Sequence, residues 1–181
     1  KMEMKNRITI EEWPLDLLMD YILKIHHRGI RKNGPQLLEL IGKVRDLHSQ
    51  NHSYLIELYD LVKESLVDLE SHLQKEENVL FPYLYELFEA SENKMRMGRM
   101  HCGTIRNPIR VMFSEHDNES RRYMYIKTLT NDFTVPEDGC ELYGLMMRDL
   151  ELFINALFEH IYLENEILFS RFQEIEDVWV G

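Results

Sequence analysis

Hydrophobic residues recur at three- and four-residue spacings along almost the whole chain, while the alternation that marks strands is scarce. A first stripe lies between Trp13 and about Lys32, and Pro14 before it suits the first turn of a helix. This stripe consists of Leu15, Leu18, Ile22 and Ile25. The segment Asn33–Gln36 (NGPQ) is expected to break or kink the helix, which then resumes to about His48. The pattern therefore predicts one long but interrupted first helix.

Three more helices are predicted from the same periodicity. The second runs from about Ser53 to Ala90, and Pro82 is expected to kink it near its end. Residues Ser91–Asn107 are predicted to form a loop that holds at most a short helical turn. The third helix spans about Pro108 to Leu129, and the fourth spans about Cys140 to Gln173. The predicted fold class is all-α, an antiparallel up-down four-helix bundle.

Two segments of the sequence resemble each other, HLQKEENVLFPYL and HIYLENEILFSRF. In each, a glutamate follows a histidine by four residues, and a branched aliphatic residue, Leu and Phe come next. The pairs are His72 with Glu76 and His160 with Glu164. A lone histidine precedes each pair, His27 by 45 residues and His116 by 44. This self-similarity predicts an internal two-fold repeat of two helical hairpins.

Composition limits the classes of partner. The 181 residues suffice for one domain, which we assign to residues 13–181 after an N-terminal extension, residues 1–12. The net charge of −11 argues against nucleic acid or an anionic membrane as a partner. No run approaches the roughly 18 to 20 apolar residues of a membrane span, and the N-terminus lacks a signal-peptide pattern. The two cysteines form no CxxC pair, so we expect a cytoplasmic location and no thiolate metal site.

The repeated residues are suited to metal binding. Residues four apart lie on one face of a helix, so each His–Glu pair can point at the same place. Buried carboxylates need a counter-charge or a metal, and imidazole with carboxylate suits iron, zinc, copper or manganese. Six ligands are too many for one four-coordinate zinc ion. Two metals fit better, with Glu76 and Glu164 bridging them and a shared oxo or hydroxo group between them.

Simpler readings apply to several of these residues. A single His-x3-Glu pair is more often a surface pair than a site, and the second copy reverses that judgement. Periodicity does not distinguish His26 from His27, because adjacent residues border the same apolar face. Glu77 lies about 100° round the helix from Glu76 and is expected to be nearly silent when substituted. His48 and His52 flank a turn, where capping or solvation is their default role.

Together, several motifs resemble a known family. They are HHRGIR, VRDLHSQNH, SHLQKEENVLFP, SEHD, LTNDFTVPEDGC and FEHIYLENEILF, and they span nearly the whole chain. The sequence resembles the haemerythrin-like fold, and more closely the Repair of Iron Centers di-iron proteins of the ScdA/YtfE type. In that family an arginine follows the first histidine by four residues, which selects His27, with Arg31, over His26. The resemblance implies iron ligands at His27, His72, His116 and His160, with Glu76 and Glu164 as bridges. It also implies that His48 lies near the site.

Two departures from haemerythrins matter. Oxygen carriers have a second histidine on the third helix where this chain has Ser120, and they end in His-x4-Asp rather than His160-x3-Glu164. Reversible oxygen carriage is therefore not expected. Members of the repair type commonly carry a further N-terminal domain with a cysteine motif, which this sequence lacks, so a truncation or a partial member is expected.

The resemblance implies a function. The expected role is repair of iron–sulfur clusters damaged by nitrosative or oxidative stress, through iron donation, nitric oxide binding or removal, or both. The expected partners are damaged or apo iron–sulfur proteins and small ligands such as nitric oxide or oxygen, with a homodimer as the candidate assembly. The alternative is an oxygen or nitric oxide sensor or store without repair activity. A dinuclear zinc or manganese hydrolase ranks third, since no substrate-binding loop or extra general base is evident.

Overall fold

The structure, a computed structural model, describes residues 8–181 as four long helices joined by loops. We number the helices α1 (15–48), α2 (54–92), α3 (106–129) and α4 (141–179). They pack side by side, and the predicted all-α four-helix bundle is confirmed. The predicted bounds of α2 and α3 agree within two residues, whereas α4 continues to Trp179, six residues beyond the predicted end.

Three of the four helices contain a π-helical segment. α1 consists of Leu15–Tyr21, π-helical Ile22–His27 and Arg28–His48. α2 consists of Tyr54–Lys75, π-helical Glu76–Leu80 and Phe81–Glu92. α4 consists of Glu141–Tyr162, π-helical Leu163–Leu168 and Phe169–Trp179. These segments contain His27, Glu76 and Glu164, three of the six residues of the predicted site, and such turns are frequent at functional sites.

The hydrophobic core has two parts with the predicted site between them. One cluster packs around Leu58, Val62 and Leu150, and the other packs around Leu18 and Phe172. Each of the four helices contributes to both clusters. Because both clusters are almost fully buried, they enclose the polar residues in the middle of the bundle on two sides. The middle of each helix is therefore where a buried polar site can form.

Two predicted irregularities differ from the structure. The segment Asn33–Gln36 was expected to break or kink the helix, and the break is wrong, because Arg28–His48 is one continuous helix with Pro35 inside it. Pro35 removes one backbone hydrogen bond from the helix. A Cβ on Gly34 would lie 2.5 Å from Leu66 Cδ2 of α2, so this stretch packs closely on its neighbour. In α2 a kink was expected near Pro82. The irregularity observed there is the π-helical segment Glu76–Leu80, which ends two residues before Pro82.

The remaining segments are short. The loop of residues 93–105 contains turns and two isolated bridges and has no helical turn. The carboxylate of Glu176 accepts hydrogen bonds from Thr104 Oγ1 (2.6 Å) and the Ile105 N–H (2.8 Å), which fixes the start of α3. Of the predicted N-terminal extension, residues 1–7 lie outside the described residues, and Ile10–Glu12 forms one 3-10 turn. No helix in residues 8–181 has the length and apolar character of a membrane span.

Candidate metal centre

The six residues selected by the repeat meet in the middle of the bundle. His27 comes from α1, His72 and Glu76 from α2, His116 from α3, and His160 and Glu164 from α4. All six are at most 3% exposed, and Glu76 and Glu164 are fully buried. In α2 and α4 the histidine lies one turn before the glutamate, and the π-helical segment begins at or just before the glutamate. The convergence expected from the repeat is therefore present.

Each carboxylate lies between two pairs of histidines. Glu164 has Oε2 3.0 Å from His116 Nε2 and Oε1 2.8 Å from His160 Nε2. Glu76 has Oε1 3.4 Å from His72 Nε2 and Oε2 3.2 Å from His27 Nε2. The Nε2 atoms of His72 and His116 are 3.0 Å apart. The donors thus form two groups, one around His72 and His116 and the other around His27 and His160, and both carboxylates reach both groups.

Several buried atoms of this cluster have no hydrogen-bond partner among the described residues. They are both carboxylate oxygens of Glu76, Glu164 Oε2, His27 Nε2 and His160 Nδ1. Buried polar atoms are nearly always hydrogen-bonded, and buried carboxylates are paired or bind metals. The donor atoms also form two overlapping sets compact enough to hold a cation each, His72 with His116, His160 and Glu164, and His27 with Glu76, His160 and Glu164. The residues present therefore fit a pair of metal ions.

The pKa shifts of Glu76, Glu164, His27 and His160 show how strongly these four groups depend on neighbouring charge and on burial. Burial and the neighbouring Glu164 charge raise the pKa of Glu76. Burial opposes a charge on Glu164 too, but His160, His116 and His27 hold its pKa well below its usual value. Burial would lower the pKa of His27, yet the two carboxylates raise it to about 10, whereas burial lowers that of His160 to about 4. The two carboxylates thus need positive charge beside them, which protons or metal cations can supply.

Three of the four histidines are held by a second residue through Nδ1, which we call the outer partner. His27 Nδ1 lies 2.9 Å from Glu77 Oε1, and His72 Nδ1 lies 2.8 Å from Glu115 Oε2. The outer partner of His116 is the Asn165 side-chain oxygen, at 2.7 Å. Such bonds fix the tautomer that leaves Nε2 free for a metal.

Glu77 is a residue beside the candidate centre that the sequence analysis missed. It was expected to lie off the site, and that expectation is wrong, because its carboxylate contacts His27 and accepts two hydrogen bonds from Arg31, of 2.7 and 3.0 Å. The resemblance favoured His27 over His26 because Arg31 follows His27 by four residues. The structure gives a physical reason for that spacing, since Arg31 holds the carboxylate that contacts His27. Glu115 is similarly held by Lys75. The sequence offered one indication of this role, namely that Glu77 is an acidic residue directly after the candidate bridge Glu76.

A cavity of about 230 Å³ leads from the surface to the histidines of α2, α3 and α4. His72, His116 and His160 line it, together with Lys75 and Glu115. Nothing in the sequence predicted this route. It gives a small ligand access to the candidate centre between α2 and α3, through an entrance with charged side chains.

Three further histidines, His26, His48 and His52, lie outside the set of six, and one of them differs from expectation. The 21-residue segment Arg28–His48 puts His48 roughly 30 Å along the helix axis from His27, so the expectation that His48 lies near the site is wrong. Instead, its Nε2 lies 3.1 Å from Cys140 Sγ, and His52 pairs with Asp138 at 2.7 Å, which joins two turns at the far end of the bundle. His26 is 5% exposed and stacks on His160, with ring centroids 5.7 Å apart.

Comparisons with known proteins agree with this architecture. Residues 18–172 match the family model described as the Hemerythrin HHE cation binding domain. The chain is 33% identical over 154 residues to a probable iron-sulfur cluster repair protein of Haemophilus influenzae, which covers 85% of this chain and 63% of that protein. It is 34% identical over 158 residues to the iron-sulfur cluster repair protein YtfE of Musicola paradisiaca, covering 87% of this chain and 65% of the relative.

A third relative, YtfE of Yersinia pseudotuberculosis, is 32% identical over 164 residues, which cover 89% of this chain and 68% of the relative. The chain thus spans about two thirds of the length of these curated relatives. The matched region contains the two histidine–glutamate pairs and both lone histidines. The chain therefore belongs to the haemerythrin HHE cation-binding family, and the expected resemblance to its ScdA/YtfE-type members is confirmed.

Proposed function

We propose that this chain is a di-iron protein that helps to repair iron–sulfur clusters damaged by nitrosative or oxidative stress. The observation that carries the proposal is the pair of fully buried carboxylates, Glu76 and Glu164, each of which lies between two pairs of histidines. The printed names of the relatives, iron-sulfur cluster repair proteins, support the choice of repair as the role. A cytoplasmic location and a homodimer stay predictions.

The proposed ligand assignment follows the two donor groups. His72 and His116 would hold one iron, His27 and His160 would hold the other, and the carboxylates of Glu76 and Glu164 would serve both. Bound iron would supply one-electron redox change and binding of small ligands such as nitric oxide. A metal held by two imidazoles and two shared carboxylates would have room for a small ligand, unlike the metal of a closed structural zinc site.

The chain's own residues would control access to the bound metal and its retention. The two apolar clusters limit the approach of water along the bundle, while the cavity beside His72 and His116 admits small ligands. The outer partners Glu77, Glu115 and Asn165 orient three of the imidazoles. The proposed products of the activity are an apo iron–sulfur protein supplied with iron, a site cleared of nitric oxide, or both.

Metal content is the first test of this proposal. Protein purified from cells grown with iron should contain about two irons per chain, because the donor atoms form two overlapping sets, each compact enough to hold a cation. The oxidised form should show a near-ultraviolet absorption band from an oxo-bridged ferric pair. Elemental analysis and an absorption spectrum check both points. One zinc per chain, or no metal after growth with iron, would contradict the proposal.

Iron donation is the second test. The reduced, iron-loaded chain should bind nitric oxide and, in a mixed assay that also contains inorganic sulfide, should reactivate an apo iron–sulfur enzyme. His116→Ala should abolish reactivation, because one iron then loses one of its two imidazoles. His101→Ala, in the exposed part of the loop before α3, is the matched control and should keep full activity. A chain that binds oxygen reversibly, keeps its iron against chelators and reactivates nothing would support the sensor or store instead.

A further inference from the structure

The internal repeat extends to the outer partners of the two lone histidines. In the first half, His27 contacts Glu77, the residue directly after the candidate bridge Glu76. In the second half, His116 contacts Asn165, the residue directly after Glu164. The two positions are equivalent, but one holds a carboxylate and the other a neutral amide. The two halves therefore place an outer partner at the same position, but the partner is charged in the first half and neutral in the second.

A second equivalence crosses between the halves. His72 contacts Glu115, the residue directly before the lone histidine of the other half. By the same rule, the outer partner of His160 should be the residue directly before His27, which is His26. His26 does lie beside His160, but its ring stacks at an interplanar angle of 22° instead of presenting a carboxylate.

His160 is consequently the one member of the four without an outer partner among residues 8–181. Its Nδ1 and the Nε2 of His26 are both buried and both lack a hydrogen-bond partner. The carboxylate nearest to His26 is Glu159, whose Oε1 lies 3.9 Å from Nε2, and the Glu159 side chain is half exposed. Glu77 and Glu115, in contrast, are held in place by Arg31 and Lys75.

We propose that the two iron positions are inequivalent and that the iron held by His27 and His160 is released first. This inference rests on the proposed function, since it presupposes two bound irons. The His72–His116 position has an outer partner on each imidazole, whereas the His27–His160 position has one on His27 alone. Loss of an outer partner typically costs about 10- to 100-fold in metal affinity. Because His26 stands where the repeat would place a carboxylate, His160 has no outer partner among the described residues, and the affinity of the His27–His160 position for iron is lower. His26 is thus a positioning residue.

The surface beside the weaker position is compatible with release. A groove of about 240 Å³ lies between α1 and α4, with His26, Gly29, Ala156 and Glu159 among its lining residues. It is distinct from the cavity lined by His72 and His116. His27 and His160 do not line this groove; His26, whose ring stacks on His160, lies between the groove and the His27–His160 position.

The test measures iron removal from the reduced, two-iron protein by excess ferrous chelator in a stopped-flow experiment. The wild type should show two phases of equal amplitude with rates that differ by about tenfold or more. His26→Glu adds a carboxylate at the position equivalent to Glu115 and should slow the fast phase toward the slow one. Asn165→Ala removes the outer partner of His116 and should speed the slow phase toward the fast one. Glu166→Gln, an exposed change next to Asn165, should alter neither phase.

Mössbauer spectra give a readout that does not depend on release. Two equal-area doublets are expected for the wild type, and they should move together in His26→Glu. Two bound irons that leave in a single phase would overturn this inference and leave the proposed function intact. So would two phases that neither variant alters. A protein that never holds two irons would contradict the proposed function as well.

Discussion

Replacing Glu76 or Glu164 by glutamine should reduce bound iron from about two per chain to less than one. Each carboxylate reaches both histidine groups, so loss of one charge weakens both metal positions together. Glutamine keeps the size of the side chain but removes the negative charge that balances two cations in a fully buried site. Iron analysis after desalting measures the effect.

The matched control for this experiment is Glu166→Gln. Glu166 lies in the same π-helical segment as Glu164, but its side chain is exposed. It should therefore keep two irons per chain. Glu77 is unsuitable as a control because it contacts His27. Equal iron loss in Glu164→Gln and Glu166→Gln would mean that the assigned face of α4 is wrong.

Removing the metal should lower the thermal stability of the wild type substantially. Ligands that bind only the folded state stabilise it by about 2.7 kcal/mol per site at 100 times their Kd, so two irons contribute about 5 kcal/mol. For a chain of this size, that corresponds to a difference in Tm of about 10 to 20 °C. The physical reason is the set of buried carboxylate oxygens that lack other partners within residues 8–181. Scanning calorimetry of anaerobic protein with and without ferrous iron measures the difference.

The double variant Glu76→Gln, Glu164→Gln provides the control for stability. Its Tm should be independent of iron, because the charge that holds both cations has been removed. It should also be at least as stable as the metal-free wild type, since two neutral amides are less costly to bury than two carboxylates. Identical Tm values for wild type with and without iron would contradict a metal pair inside the bundle.

The sequence by itself determined the helices and the residues that meet at the centre. Apolar residues at three- and four-residue spacings identify a buried face over long stretches, so the bundle followed directly. The duplicated His-x3-Glu pattern was informative because residues four apart share a helix face whatever the neighbours are. The lone histidines followed from the nearly equal spacings of the two halves, 45 and 44 residues, and all six residues lie together in the structure.

Only the tertiary structure decided the details that depend on contacts between helices. The identity of the outer partners, the far-end position of His48 and the unbroken helix through Pro35 all lie beyond the reach of periodicity. Glu77 lies about 100° round the helix from Glu76 and still contacts His27, because that histidine belongs to the neighbouring helix α1. The spacing of residues within a helix determines which of them share a face. A hydrogen bond between two helices depends on how the helices pack, and the spacing within either helix does not determine that.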